Sequence, residues 1–160
     1  MFTKIKLTVL IGYIAFFSNN MFSFEKSVNQ KNIRQAIEKG VKFLYQNQNA
    51  TGWWTDSELP ALTGLALVAL KMSDVSSLDA KYESERRRAY DYLVSLAKSD
   101  GSIHDGRLIN YNTACSLMAF SVANDERYRA LIEKARAYIA GSQVDLGDSG
   151  KQDNPNDGGV

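Results

Sequence analysis

The stretch Lys39-Gly40-Val41-Lys42-Phe43-Leu44-Tyr45-Gln46-Asn47-Gln48-Asn49-Ala50-Thr51-Gly52-Trp53-Trp54 recurs along the chain, and its recurrence decides the fold. Moving 49 residues on, with no gap, places Arg88 and Ala89 under Lys39 and Gly40, Leu93 under Leu44 and Gly101 under Gly52. A further 46 brings Lys134, Ala135, Tyr138, Ile139 and Gly147 beneath Arg88, Ala89, Tyr92, Leu93 and Gly101. A period of about 48 residues built from two helices marks an array whose units bury their apolar faces only by stacking on neighbours.

The helices inside each period differ in kind. From Asn32 to Gln46, Ile33, Ile37, Val41 and Leu44 recur at helical spacing while Arg34, Glu38, Lys39 and Lys42 fill the other side. Pro60 to Leu70 carries no charge, is apolar all round, and has Pro60 suited to a first turn, which implies burial. Glu83 to Lys98 is charged again, with Arg86, Arg87, Arg88 and Asp91 opposite Ala89, Leu93, Leu96 and Ala97. Tyr111 to Ala123 is uncharged, and Asp125 to Gly141 returns to Arg127, Arg129, Glu133, Lys134 and Arg136 on one face. Thr63 and Thr113, like Ala69 and Ala119, match within the two uncharged helices. Alternation of this kind predicts two layers, because an outer helix needs one wet face and an inner one needs none. No sustained period-2 pattern is present, so the expected class is all-α, with about two and a half helical hairpins. Leu62, Leu65, Val68, Leu117 and Phe120 are expected in the core, and Arg34, Arg87 and Arg129 in solvent.

The composition excludes several functions. Nineteen Lys and Arg against eighteen Asp and Glu among 160 residues give a net charge of +1, so no field exists to draw in nucleic acid or an anionic membrane surface. One cysteine, Cys115, excludes disulfide scaffolds and multi-cysteine zinc sites, and its neighbours Ala114, Leu117 and Met118 predict a buried thiol.

Written as Lys39-Gly40-x-x-Phe43-Leu44-x-x-x-Gln48-x-x-x-Gly52-x-Trp54, the first copy resembles the QW motif of the squalene–hopene and oxidosqualene cyclases. Those enzymes share an α/α toroid with the protein prenyltransferase β subunits, so the resemblance implies toroid-type hairpin repeats over residues 24–150. The second copy has Ala97 and Ile103 in the Gln and Trp places; the third keeps Gln143 and Gly147 and has Ser149 in the Trp place. In the family the Gln and Trp tie an outer helix to the next turn, a scaffold role that assigns Gln48 and Trp54 to structure. An amide near a helix end can bond loop backbone groups while an indole covers its stem.

The chemistry of the family is not carried by these residues. No DxDD or DCTAE acid motif occurs, and the stretch resembling the prenyltransferase Asp-x-Cys has Thr113 two before Cys115, where a zinc set needs a carboxylate. No Cys-Gly-Glu-Gln string offers a thioester. His104, the only histidine, lies between Asp100 and Asp105 in a Gly-rich turn and is expected to serve that turn rather than act as a base. The oxygen-rich tail around Asp145, Asp148, Asp153 and Asp157 fails the EF-hand pattern at Pro155 and reads as surface loop. No catalytic residue, metal or cofactor is expected. The ligand-facing candidates are Trp53, which the motif leaves unexplained, and Tyr111, Asn112 and Cys115 on the second uncharged helix.

Lys4 and Lys6 precede an apolar run from Leu7 to Phe17, followed by polar Ser18, Asn19 and Asn20, the layout of a secretory signal over residues 1–23. The run is shorter than the about 20 residues of a membrane span, so export is expected, with an uncleaved anchor as the alternative because no A-x-A site is present. Residues 151–160 read as a disordered or truncated tail. Two readings follow. One is an exported, non-catalytic binding or scaffold module, its partner an apolar or glycan ligand or another protein. The other is the amino-terminal part of a cyclase or prenyltransferase whose acid motif lies in a carboxy-terminal half beyond these residues. Neither involves nucleic acid or a stable membrane span.

Overall fold

The structure is a computed structural model that describes residues 29–75, 78, 80–147, 149–151 and 155. The expected signal over 1–23 and most of the tail lie outside the described residues. The chain divides into two compact units, Met1–Gly40 and Val41–Val160. Residues 29–46 are helical (α1), and their 29–40 part falls in the first unit. There Arg34 Nε stands 3.7 Å from Glu38 Oε1 one turn on, and Ile33 and Ile37 are exposed.

In the second unit four further helices follow: α2 (Pro60–Met72), α3 (Glu83–Ser95), α4 (Ile109–Ala123) and α5 (Arg129–Gly141). A short 3-10 turn, Glu126–Tyr128, precedes α5. The molecule is all-helical: among the described residues the extended structure is one isolated bridge, Ala97 with Ile103. That bridge stops α3 at Ser95, three residues short of the expected Lys98. Asp125 does the same at the start of α5, because its carboxylate accepts the Arg127 N–H and holds the first three residues in the tighter 3-10 form. Pro60 opens α2 at its first turn, and Glu83 and Glu85 lie in the first turn of α3, where the helix dipole favours carboxylates.

The two helices α2 and α4, charge-free but for Lys71 at the end of α2, pack against each other most extensively, while α3 packs on α2 and α5 packs on α4. This is the alternation of inner and outer helices that the charge pattern implies, and the packing is that of a helical repeat. A Cβ on Gly64 would fall 2.7 Å from the carbonyl oxygen of Cys115, so the backbones of α2 and α4 meet with only hydrogen between them. The core gathers Leu67, Leu93, Ile103 and Phe120, all fully buried, with Trp54, Tyr82 and Tyr90 around them. Tyr45 stacks on Tyr82 at 4.3 Å between ring centroids and Tyr90 on Tyr128 at 5.3 Å, so each outer-helix ring meets one from the next segment.

The expected core needs correcting. Phe120 is fully buried, and Arg34, Arg87 and Arg129 are exposed, but Leu62, Val68 and Leu117 are only half-buried and Leu65 is 38% exposed. Helix α2 is therefore not buried all round. Its hidden face is made of Pro60, Ala61, Thr63, Gly64, Leu67 and Leu70, several of them small, because close approach to α4 selects small residues over bulky ones.

Candidate binding face and the repeat junctions

The motif residues assemble at the turn between α1 and α2. Gln48 Nε2 donates to the carbonyls of Gly52 and of Glu85 in α3, each at 2.9 Å, so one amide joins its own turn to the next outer helix. Trp54 Nε1 donates back to the Leu44 carbonyl at 2.8 Å, and the Trp54 backbone N–H donates to Thr63 Oγ1 in α2 at 3.2 Å. Gly52 has φ +107°, and a Cβ there would lie 2.3 Å from the Arg88 carbonyl oxygen. The same junction recurs one period later. Gly101 has φ +94° with its missing Cβ 2.4 Å from the Lys134 carbonyl, and Ile103, in the Trp place, donates its N–H to Thr113 Oγ1 at 2.9 Å. Of the other motif residues, Leu44 is half-buried, Phe43 is 63% exposed, and Lys39 and Gly40 are exposed on α1.

Asn112 is a correction. Expected to face a ligand, it is fully buried: its Oδ1 accepts the Ala61 N–H at 3.0 Å and its Nδ2 donates to the Arg107 carbonyl at 2.7 Å. It caps the first turn of α2 from the neighbouring helix, and no donor or acceptor is left over for a ligand beyond one lone pair and one N–H. Cys115 is buried and free, with its thiol pushed up by burial. Tyr111 is 49% exposed, and the Cys115 sulfur beside it raises its phenol. Trp53 is half-buried, and its carbonyl accepts the Asn49 N–H at 2.9 Å.

What α2 and α4 leave open is an uncharged face on each. On α2 it runs Leu62, Leu65, Ala69, Met72 and on α4 Tyr111, Ala114, Met118, Ser121, steps of three, four and three that keep each set on one side of its helix. All eight are exposed or half-buried, with Met72 at 74% and Met118 at 41%. The segments leading into the two helices are tied by an exposed ion pair, Arg107 Nη1 to Glu58 Oε2 at 2.9 Å, and the Tyr92 hydroxyl of α3 donates to the Ser57 carbonyl ahead of α2 at 2.7 Å. Burial, then the charges of Asp105 and Asp56, pushes Tyr92 up to about 12.

The remaining candidates are turn-formers. His104 Nδ1 accepts the Gly106 N–H at 2.8 Å, Asp56 Oδ1 accepts the Glu58 N–H at 2.8 Å, and Asp145 Oδ2 accepts the Gly150 N–H at 2.9 Å. Among the described residues no three His, Cys, Asp or Glu side chains stand together as a metal would need. Sequence reasoning missed a cleft of about 150 Å³ where α2 and α4 end, lined by Lys71, Glu83, Arg87, Tyr90, Asp125 and Tyr128 among others. Its acids are already committed, Glu83 to Arg86 and Asp125 to Arg127 at 2.6 Å, the latter pair holding Asp125 below the usual carboxylate range. Tyr90 at its floor donates to the Ala119 carbonyl at 3.2 Å and is pushed up to about 12, chiefly by burial.

No family model, curated protein or solved structure matches this chain. Among the described residues no helix is long and apolar enough to cross a membrane.

Proposed function

We propose that this protein is an exported, QW-type α/α-toroid repeat module, similar to the squalene cyclases and prenyltransferase β subunits, that binds an apolar ligand without transforming it. The observation that carries the reading is the open, uncharged face of α2 and α4, bounded by residues such as Leu65, Met72, Tyr111 and Met118. Apolar surface of this kind on neighbouring helices is retained against its cost to solubility where it meets something apolar. Catalysis of the family type needs an acid inside a water-excluded cavity or a metal-activated thiolate. The eight residues of the open faces include no carboxylate, Asp56 serves a turn, Asp105 is exposed in a bend outside those faces, and the Cys115 thiol is shifted away from its anionic form.

The test is fluorescence titration of the full chain with Nile red, followed by displacement with squalene. Leu65→Glu and Met118→Glu place charge on the open faces at exposed positions. They should abolish the blue-shifted emission while leaving the circular dichroism and melting temperature unchanged. Binding that survives both substitutions would overturn the reading, and so would squalene turnover that depends on Asp56 or Asp105.

A further inference from the structure

The junctions are built as socket and knob. In the first, the turn glycine Gly52 receives the carbonyl of Arg88; in the second, Gly101 receives that of Lys134. The small residue after each knob, Ala89 or Ala135, is fully buried. The third turn repeats the socket: Gly147 has φ +101° and is exposed, and Gln143, in the place of Gln48, is exposed with no side-chain hydrogen bond among the described residues. Val144 and Leu146 beside it are 40% and 44% exposed. On α1 the knob position falls on Lys39, and the small residue after it is Gly40, exposed with nothing within 4 Å of where its Cβ would be. Tyr92 reaches the preceding turn at Ser57, and its counterpart on α1 is Phe43, 63% exposed. The described residues thus hold two filled junctions, one exposed turn of the socket design and one exposed knob position.

The geometry points to head-to-tail association of this chain with a second copy of itself, the Gln143–Gly147 turn of one copy receiving α1 of the next. The occupant follows from the filled junctions. By the same spacing, Gly147 takes the Lys39 carbonyl of the second copy, and Gln143 Nε2 reaches the carbonyl of its Ala36, which stands where Glu85 stands in the first junction. Because a different surface is used on each copy, the contact is heterologous and gives closed rings or longer stacks rather than a self-limiting two-fold pair. The residues involved are none of the eight on the open faces of α2 and α4, so the proposal goes beyond the ligand reading and fails or stands independently of it.

Sedimentation equilibrium of the full chain over a wide concentration range tests it. The unaltered protein should show species above one chain mass. Gly147→Ala fills the socket, and Gly40→Arg places a long side chain where Ala89 and Ala135 are fully enclosed; each should lower the association constant at least about tenfold. Gly106→Ala is the control, since Gly106 shares a positive φ, +88°, yet has nothing within 4 Å; it should associate like the unaltered protein. An equimolar mixture of the Gly147→Ala and Gly40→Arg chains retains one intact socket and one intact knob, so it should form two-chain species and nothing larger. A loss of folding cannot mimic that result. A monomeric unaltered protein, association that both variants leave intact, a mixture that stays monomeric, or equal loss in Gly106→Ala would each overturn the proposal. Loss caused instead by Leu65→Glu would show face-to-face contact through the open faces and overturn it as well.

Discussion

Replacing Gly52 by alanine isolates the cost of a filled junction. The new Cβ would meet the Arg88 carbonyl oxygen at 2.3 Å and its carbon at 2.6 Å, backbone atoms in the middle of α3 that cannot step aside as a side chain could. Two penalties combine. Holding a non-glycine residue at φ +107° costs about 1–3 kcal/mol, and pushing the helix off its seat costs about 1–3 kcal/mol by analogy with overpacking a core. Gly106→Ala incurs the first penalty alone, because its Cβ enters open space. The expected destabilisation is therefore about 4 kcal/mol for Gly52→Ala, within a range of about 2–6, against about 1–3 kcal/mol for Gly106→Ala, the former a large part of the about 5–15 kcal/mol that holds a domain together. Urea unfolding followed by circular dichroism at the helix band measures both, and Gly101→Ala should behave like Gly52→Ala. If Gly52→Ala and Gly106→Ala differ by less than about 0.5 kcal/mol, the carbonyl contact contributes nothing and the socket argument fails.

Trp54→Ala should cost about 3–5 kcal/mol, because the indole is 5% exposed and its N–H is used by Leu44; Trp54→Phe, which keeps most of the ring but not the donor, should cost less, and melting curves separate the two. Thr63→Val and Thr113→Val each remove the acceptor of a buried backbone N–H, from Trp54 and Ile103, and should each lower stability by about 1–3 kcal/mol in denaturant titrations. Tyr90 ionises near 12 in the folded protein and at about 10 when unfolded. The folded form binds that proton more tightly, so its contribution is fully present below pH about 10 and is lost as pH rises towards 12. Tyr90→Phe should make the fall in stability across that window shallower, with Tyr92, raised alike, contributing to the rest, and an unchanged alkaline profile would show that Tyr90 is not a group responsible.

The period of about 48 residues was legible because outer helices carry their own markers: Lys39, Arg88 and Lys134 sit at one register, and Gly52 and Gly101 at another. Layering was legible for the same reason, since Arg34 and Arg87 point out the wet side. The face of an uncharged helix was not. Between Pro60 and Leu70 no charge marks the solvent side, so Leu65, bulky and apolar, reads as core although Ala61, Thr63 and Gly64 hold that place. Asn112 misled in the opposite sense. A polar residue on an apolar helix suggests a ligand contact, but the first-turn N–H groups of α2 are an unsatisfied need that only a neighbouring helix's amide can meet there. Thr63 and Thr113, noticed only as a matched pair, were the available hint that hydroxyls on these helices serve the preceding turn.

The junctions have a consequence for how the chain acquires its structure. Among the described residues, the hydrogen bonds that join distant segments reach no more than about one period along the sequence: 37 residues from Gln48 to Glu85, 29 from Tyr90 to Ala119, and 51 from Ala61 to Asn112. A chain wired this way closes only short loops, so the entropy lost at each step is small and folding is fast for its size. Each hairpin described can settle as soon as the one after it emerges, growing like links added to a chain.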